Sequence, residues 1–307
     1  MQTKPQRFRR TRRFFRWLFR RGKKADTKGE DLVHEEADEL IDDEPDVTWP
    51  ETRLKLLERL WGEGLVRCGE AEYLREFLPL LSLTERNSVL LMGAGLGGAG
   101  QLIVEETGAW VTGYENNEEL AALGKQRAKM TGMTKRAPVN YSDFDSVKPK
   151  SKAFDTCISV ESLYTTSDKK AVLGAMVDGL RETGELWYTD FALPSKEAPN
   201  EAVTAWAELQ PMVPQLWPAS VTQSLLKTFN LDVQKPDDIT DAYRMRLFKS
   251  LFAFLASTNK AELIEIVDGV FRELELLGKL IEALDSGGLK VYRFRAYKLR
   301  DKRPAIT

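Results

Sequence analysis

Residues 89–103, VLLMGAGLGGAGQLI, constrain the fold more than any other stretch of this chain. Four apolar residues read as a buried strand, four glycines (Gly93, Gly95, Gly97 and Gly98) crowd positions 93–98, and a helical segment follows. A strand that turns this sharply into a helix is the repeating unit of parallel sheets covered by helices. Glycines at such a turn let the backbone approach a ligand closely, and the helix presents its N-terminal amides to the same place.

The pattern continues on both sides. Leu54, Leu57, Leu60 and Trp61 have helical spacing, which predicts a helix over 51–61, and a second is expected over 70–80. Strands are predicted at 88–92, 110–114, 138–141, 156–159 and 185–189, alternating with helices at 98–107, 117–130 and 169–181. The last third changes character. A helix at 221–229 and a short strand at 231–233 precede two long helices, about 241–256 and 260–284. A final strand, LKVYRFRAYKLR, ends the α/β part. The expected fold class is α/β: a Rossmann-like, mostly parallel sheet of seven strands with an antiparallel last strand. Helices lie on both faces, and a helical cap at about 241–285 is inserted before that strand.

Composition narrows the chemistry. With 307 residues and 42% hydrophobic content the chain can bury a substantial core. It contains no apolar run long enough to span a bilayer. Two cysteines, Cys68 and Cys157, lie far apart without metal or redox spacing, so a reducing, cytoplasmic setting and no metal are expected. The single histidine, His34, lies in an acidic stretch outside the expected domain, which excludes a Ser-His-Asp triad there. Residues 1–24 carry eleven Lys or Arg and no acid, whereas 25–46 carry eleven acids and one lysine. Like-charge runs of this kind bury little, so 1–48 are expected to be a disordered charged tail and 49–300 the folded domain. Within the tail, residues 7–24 interleave arginines with Phe8, Phe14, Phe15, Trp17 and Phe19. This composition suits a helix lying on an anionic membrane surface. Pairing with the acidic neighbour is the plainer alternative, and no nucleic-acid partner is expected.

The glycine turn alone leaves its ligand open. Gly93, Gly95 and Gly98 satisfy the dinucleotide spacing G-x-G-x-x-G, and Glu115, about twenty residues on, is placed to accept ribose hydroxyls of any adenosine. The third strand separates the readings, because VNYSDFDS puts Asp143 and Phe144 at its carboxyl end. With FDTCISVESLYTTSDKKAVL and LRETGELWYTDF after it, the whole run resembles the class I S-adenosylmethionine (SAM) dependent methyltransferases. Within that superfamily, RLWGEGLVRCGEAEYL, SVESLYTTSDK and LDVQKPDDIT are similar to segments of the phosphoethanolamine and related small-molecule N-methyltransferases.

That resemblance implies SAM as cofactor, held by Gly93, Ala94, Gly95, Gly97, Glu115, Asn116, Asp143, Phe144 and Ser159. It places Glu161 and Tyr164 at the methyl-transfer site and Arg295 near an anionic substrate group. The implied activity is methyl transfer to an amine or hydroxyl of a small molecule or lipid headgroup. Three positions depart from the family. Leu91 stands where an acid precedes the first glycine, Thr165 where the phosphoethanolamine enzymes have a histidine, and Gly69-Glu70 where they have a glycine pair. These departures point to another acceptor, or to a SAM-binding scaffold with weak catalysis. An NAD oxidoreductase remains the third reading.

Overall fold

The computed structural model describes residues 49–300 apart from Asn259, and only the backbone of 260–269. The basic and acidic segments, and the membrane-surface reading of residues 7–24, fall outside the described residues. The first helices are α1 (Glu51–Trp61) and α2 (Glu70–Phe77). Helix α2 stops earlier than its periodicity suggests. Pro79 lacks the amide an α-helix would use there, and the chain tightens into a 3₁₀ turn, Leu78–Leu81.

The α/β run then follows as β1 (Ser88–Met92), α3 (Gly98–Thr107), β2 (Trp110–Glu115), α4 (Glu118–Met130), β3 (Val139–Tyr141), β4 (Phe154–Val160), α5 (Lys169–Gly179) and β5 (Leu180–Ala192). After it come α6 (Glu201–Glu208), α7 (Ala219–Leu226), β6 (Leu231–Val233), β7 (Asp237–Asp238), α8 (Thr240–Ser257), α9 (Lys260–Asp285) and β8 (Lys290–Lys298). The strands form one sheet in the order β3-β2-β1-β4-β5-β8-β6, with β7 also on β8. Strands β1 to β5 pair in parallel, and β8 is antiparallel to β5, β6 and β7. The expected seven positions are present, the seventh being split. Residues 231–233 pair with 296–298 and residues 237–238 with 292–293, on one edge of β8.

Alternation along the strands divides the core into two layers. Val89 and Leu91 of β1, Ile158 and Val160 of β4 and Trp187 and Phe191 of β5 pack on one side with α1, α2, α3, α6, α8 and α9. Leu90, Met92, Cys157, Leu186, Tyr188 and Phe294 pack on the other with α5 and α7. Helix α5 ends where the buried Lys298 ammonium donates to the carbonyls of Val177 (2.7 Å) and Leu180 (2.8 Å). Helix α6, which no periodicity announces, is capped by Asn200 Oδ1 accepting from the Val203 amide (3.0 Å) and buries Val203 and Trp206. The expected cap is helices α8 and α9, and α9 lies against α1 and α6.

The turn after β1 depends on close backbone contact with the loop before α2. The Gly98 amide donates to the Gly64 carbonyl at 3.0 Å, and a Cβ on Gly98 would lie 2.6 Å from the Glu63 and Gly64 backbone. Gly98→Ala should therefore destabilise the fold by about 1–3 kcal/mol, read as a lower denaturant midpoint at unchanged slope.

Candidate ligand-binding and active site

The glycine turn is built around one carboxylate. Gly93 and Ala94 donate their amides to the Tyr114 carbonyl at 2.8 and 3.0 Å, folding the turn back over the end of β2. The Gly95 amide donates to Glu115 Oε2 (2.7 Å) and the Asn117 amide to Glu115 Oε1 (3.0 Å). Asn117 Oδ1 in turn caps α4 by accepting from Leu120 (2.9 Å). Gly93 has φ +83°, and a Cβ there would sit 1.9 Å from Ser162 Oγ, so no side chain fits.

Arg67, which the sequence reading did not single out, reaches into this turn. Its Nη1 donates to the Gly93 carbonyl at 2.6 Å, and its Nη2 lies 3.5 Å from Glu115 Oε2. Nη1 is also 3.7 Å from Glu70 Oε1. Burial pushes the Glu70 carboxyl up to about 7, against the pull of Arg67. The loop carrying Arg67 is anchored by Glu58 Oε1, which accepts from the Gly64 amide (2.7 Å) and from Arg127 Nη1 (2.8 Å). Leu91, in the position of the missing acid, is buried in the core. This end of the turn is thus served by a cation from the covering loop.

A cavity of 280 Å³ opens beside the turn. Glu115, Asn116, Leu120 and Phe144 line one end, while Trp49, Arg53, Trp206, Met212 and Leu276 line the other, beneath the cap. Glu161, Tyr164 and Thr165 lie in its wall as well. Five of the residues expected from the sequence are therefore brought together: Glu115, Asn116, Phe144, Glu161 and Tyr164. Ala94, Gly95 and Gly97 complete the turn beside them. The Phe144 amide donates to Asn116 Oδ1 (3.0 Å), which ties the third strand's end to the second's.

Three expected residues are placed elsewhere. Asp143 is exposed, and its Oδ1 accepts from the Asp145 amide (3.0 Å); this local turn keeps the side chain out of the cavity wall. Ser159 is buried inside the sheet, opposite Met92, and its hydroxyl has no partner among the described residues. Arg295 stacks on Trp187 (4.3 Å) and Tyr297 (4.8 Å), with Glu185 at 3.8 Å, and does not line the cavity. Arg293 also lies over Trp187 and pairs with Asp237 (2.9 Å), so the two arginines do share a face. Missing from the sequence reading were the far wall and its nearly buried pair, Arg53 Nε to Glu273 Oε2 at 3.2 Å. The partners are 220 residues apart, so no local signal could have joined them.

Glu161 combines strain with burial. It follows β4 with φ +37°, a conformation costly for a residue with a Cβ, and Thr189 Oγ1 donates to its Oε1 at 2.7 Å. Burial pushes its carboxyl up to about 7 despite the Thr189 hydrogen bond and the fields of Arg246 and Arg67. Tyr164 packs edge-on against Phe191 (5.1 Å) and donates to Gln210 Oε1 (3.3 Å). Burial pushes its phenol up to about 12, so it is a neutral donor at physiological pH.

No family model matches the chain. Phosphoethanolamine N-methyltransferase 1 of Arabidopsis thaliana is 23% identical over 229 residues, which cover 71% of this chain and 45% of that protein. Among solved structures, phosphoethanolamine N-methyltransferase 2 of Haemonchus contortus, in complex with phosphomonomethylethanolamine and S-adenosylhomocysteine, superposes with a TM-score of 0.66 at 14% identity. That match covers 83% of this chain and 59% of the other. Geranyl diphosphate C-methyltransferase of Streptomyces coelicolor A3(2), in complex with Mg2+, geranyl diphosphate and S-adenosylhomocysteine, gives 0.57 at 14% identity over 75% of this chain and 77% of that one. The chain spans less than half the length of the plant relatives it matches. At these identities the structural likeness shows the fold.

The raised carboxyl of Glu161 has a consequence for stability. An acid whose pKa is higher folded than unfolded binds its proton more tightly in the folded state, so its contribution is full below about 4.5 and is lost as pH rises through about 7. Glu161→Gln should flatten the fall in melting temperature between pH 5 and 8. A pH profile parallel to wild type would contradict this account.

Proposed function

We propose, for a chain of the class I SAM-dependent methyltransferase superfamily most similar to its phosphoethanolamine N-methyltransferase group, that it binds SAM and methylates an amine or hydroxyl of a small molecule or lipid headgroup. The observation that carries this reading is Glu115, a buried carboxylate that binds the turn's own amide and lines the cavity beside it. The residues fit this cofactor. Glu115, whose oxygens accept the Gly95 and Asn117 amides, brings a carboxylate to the cavity wall where a ribose diol would lie, and Asn116 and Phe144 beside it provide a rim for an adenine ring. The contacts assigned are Gly93, Ala94, Gly95, Gly97, Glu115, Asn116 and Phe144. Bound there, SAM supplies a methyl group already activated by its sulfonium.

The protein's part is then alignment, proton handling and exclusion of water. Glu161, poised near neutrality, accepts the proton that the acceptor must lose. Tyr164, held by Phe191 and Gln210, positions the acceptor beside it. Leu276 of the cap, with Trp49 before α1 and Trp206 of α6, gives the cavity an apolar wall that helps exclude water.

Titration calorimetry with SAM, S-adenosylhomocysteine and NAD tests the cofactor. Both adenosyl ligands should bind, Glu115→Ala should weaken them about 10- to 100-fold through loss of charged hydrogen bonds, and NAD should not bind. Failure of both adenosyl ligands would sink the reading.

Action at the cytoplasmic face of an anionic membrane is part of the same proposal. Its support is the arginine- and aromatic-rich sequence of residues 7–24 and an apolar face on α8, where Met245, Phe252 and Leu255 are largely exposed at helical spacing. No helix among the described residues is long and apolar enough to cross a membrane. The protein should float with phosphatidylserine vesicles at low salt, and deletion of residues 1–24 should abolish flotation. Equal flotation of the deletion variant would remove the tail from the proposal.

A further inference from the structure

We propose that the acceptor half of the cavity takes an unphosphorylated amine carried on an apolar body, with the nitrogen at Glu161. The inference rests on the cofactor assignment for which half receives the acceptor. The chemistry of the walls supports it independently.

A phosphate finds no partner there. The two cations that line the cavity, Arg53 and Arg67, are both paired already. Arg53 holds Glu273 at 3.2 Å with both side chains nearly buried, and its guanidinium lies 4.4 Å over the Trp49 ring. Arg67 is shared among the Gly93 carbonyl, Glu115 and Glu70. Three acids in the wall, Glu115, Glu161 and Glu273, outnumber these two cations. A phosphate dianion entering this space would lose its hydration, meet no unpaired guanidinium and face three carboxyl groups.

An ammonium meets the opposite conditions. Among the described residues no lysine or arginine forms an ion pair with Glu161, whose oxygen accepts instead from Thr189. Tyr164 and Tyr243 are both within electrostatic reach of that carboxylate, as are Arg67 and Arg246, which are themselves engaged by Glu115, Glu70 and Glu76, and Tyr164 packs edge-on against Phe191. Aromatic rings favour a cation by their quadrupoles, and the carboxylate by its charge. The same cavity is also lined by Trp49, Trp206, Met212 and Leu276. Filling it with hydrocarbon gains about 25 cal/mol for each Å² of apolar surface removed from water. A headgroup without an apolar body forgoes that gain.

The test is calorimetric titration of the full chain with octylamine, 2-phenylethylamine and phosphoethanolamine, with and without saturating S-adenosylhomocysteine. Both apolar amines should bind about tenfold or more tightly than phosphoethanolamine. Glu161→Gln should weaken them about tenfold, as expected for losing a hydrogen bond to a charged group. Trp206→Ala should weaken octylamine and leave the weak phosphoethanolamine signal where it was. Tighter binding of phosphoethanolamine by the wild type, or amine affinity indifferent to Glu161→Gln, would overturn the proposal. Failure of S-adenosylhomocysteine to bind while the amines bind as expected would overturn the cofactor assignment instead.

Discussion

A carboxylate with 5% residual exposure must be given hydrogen-bond donors, and the demands of Glu115 organise this end of the molecule. The nearest donors are backbone amides, so the turn after β1 and the start of α4 both close on it, at Gly95 and Asn117. Arg67 supplies the positive charge nearby. Bringing that arginine in requires the covering loop to descend on the turn until Gly98 and Gly64 share a hydrogen bond. Tight glycines, capped helix and buried loop are therefore linked responses to one buried charge.

The same linkage explains how the turn accommodates Leu91. An acid at that position would add negative charge to a site that already holds Glu115 and Glu70. Here the position joins the apolar layer of β1, and Arg67 approaches the Gly93 carbonyl from the loop side. The polarity of this corner is thus set by a segment distant in sequence and locked to the turn by the Gly64–Gly98 hydrogen bond. Farther along the cavity the walls turn aromatic around Glu161, and the left-handed backbone at that residue is held by the Glu161 amide and side chain both bonding to Thr189.

Much of this was legible from periodicity. The leucines of α1, the apolar strands β1 and β4 and the interrupting glycines carry their structure locally, as does Glu115 by its distance from the turn. What was not legible depends on contacts across the chain. Helix α6 is short, and its apolar face is satisfied by distant partners: Phe191 of the sheet, Tyr164 and α9. Asp143 lies where a ligand contact was expected, and its exposed carboxylate accepts the amide two residues on. Arg295 shares a face of β8 with Arg293, as strand alternation predicts. Its partner, Trp187, is opposite it only because of the β5–β8 register. Arg67 carries no signal at all, since an arginine in a glycine-rich loop ordinarily lies in water.

The place of β8 bears on how the molecule assembles. It is the last strand of the sheet in sequence, yet it lies between β5 and β6, separated from β5 by residues 193–289. Until it arrives, β5 presents a bare row of backbone donors and acceptors, and α5 lacks the lysine that closes its end. The parallel half can form from nearer neighbours, but the sheet becomes continuous only when a long loop closes, a slow event by topology. During that interval the open slot is a template for a strand from another chain, and the long helical insertion sets how long the interval lasts.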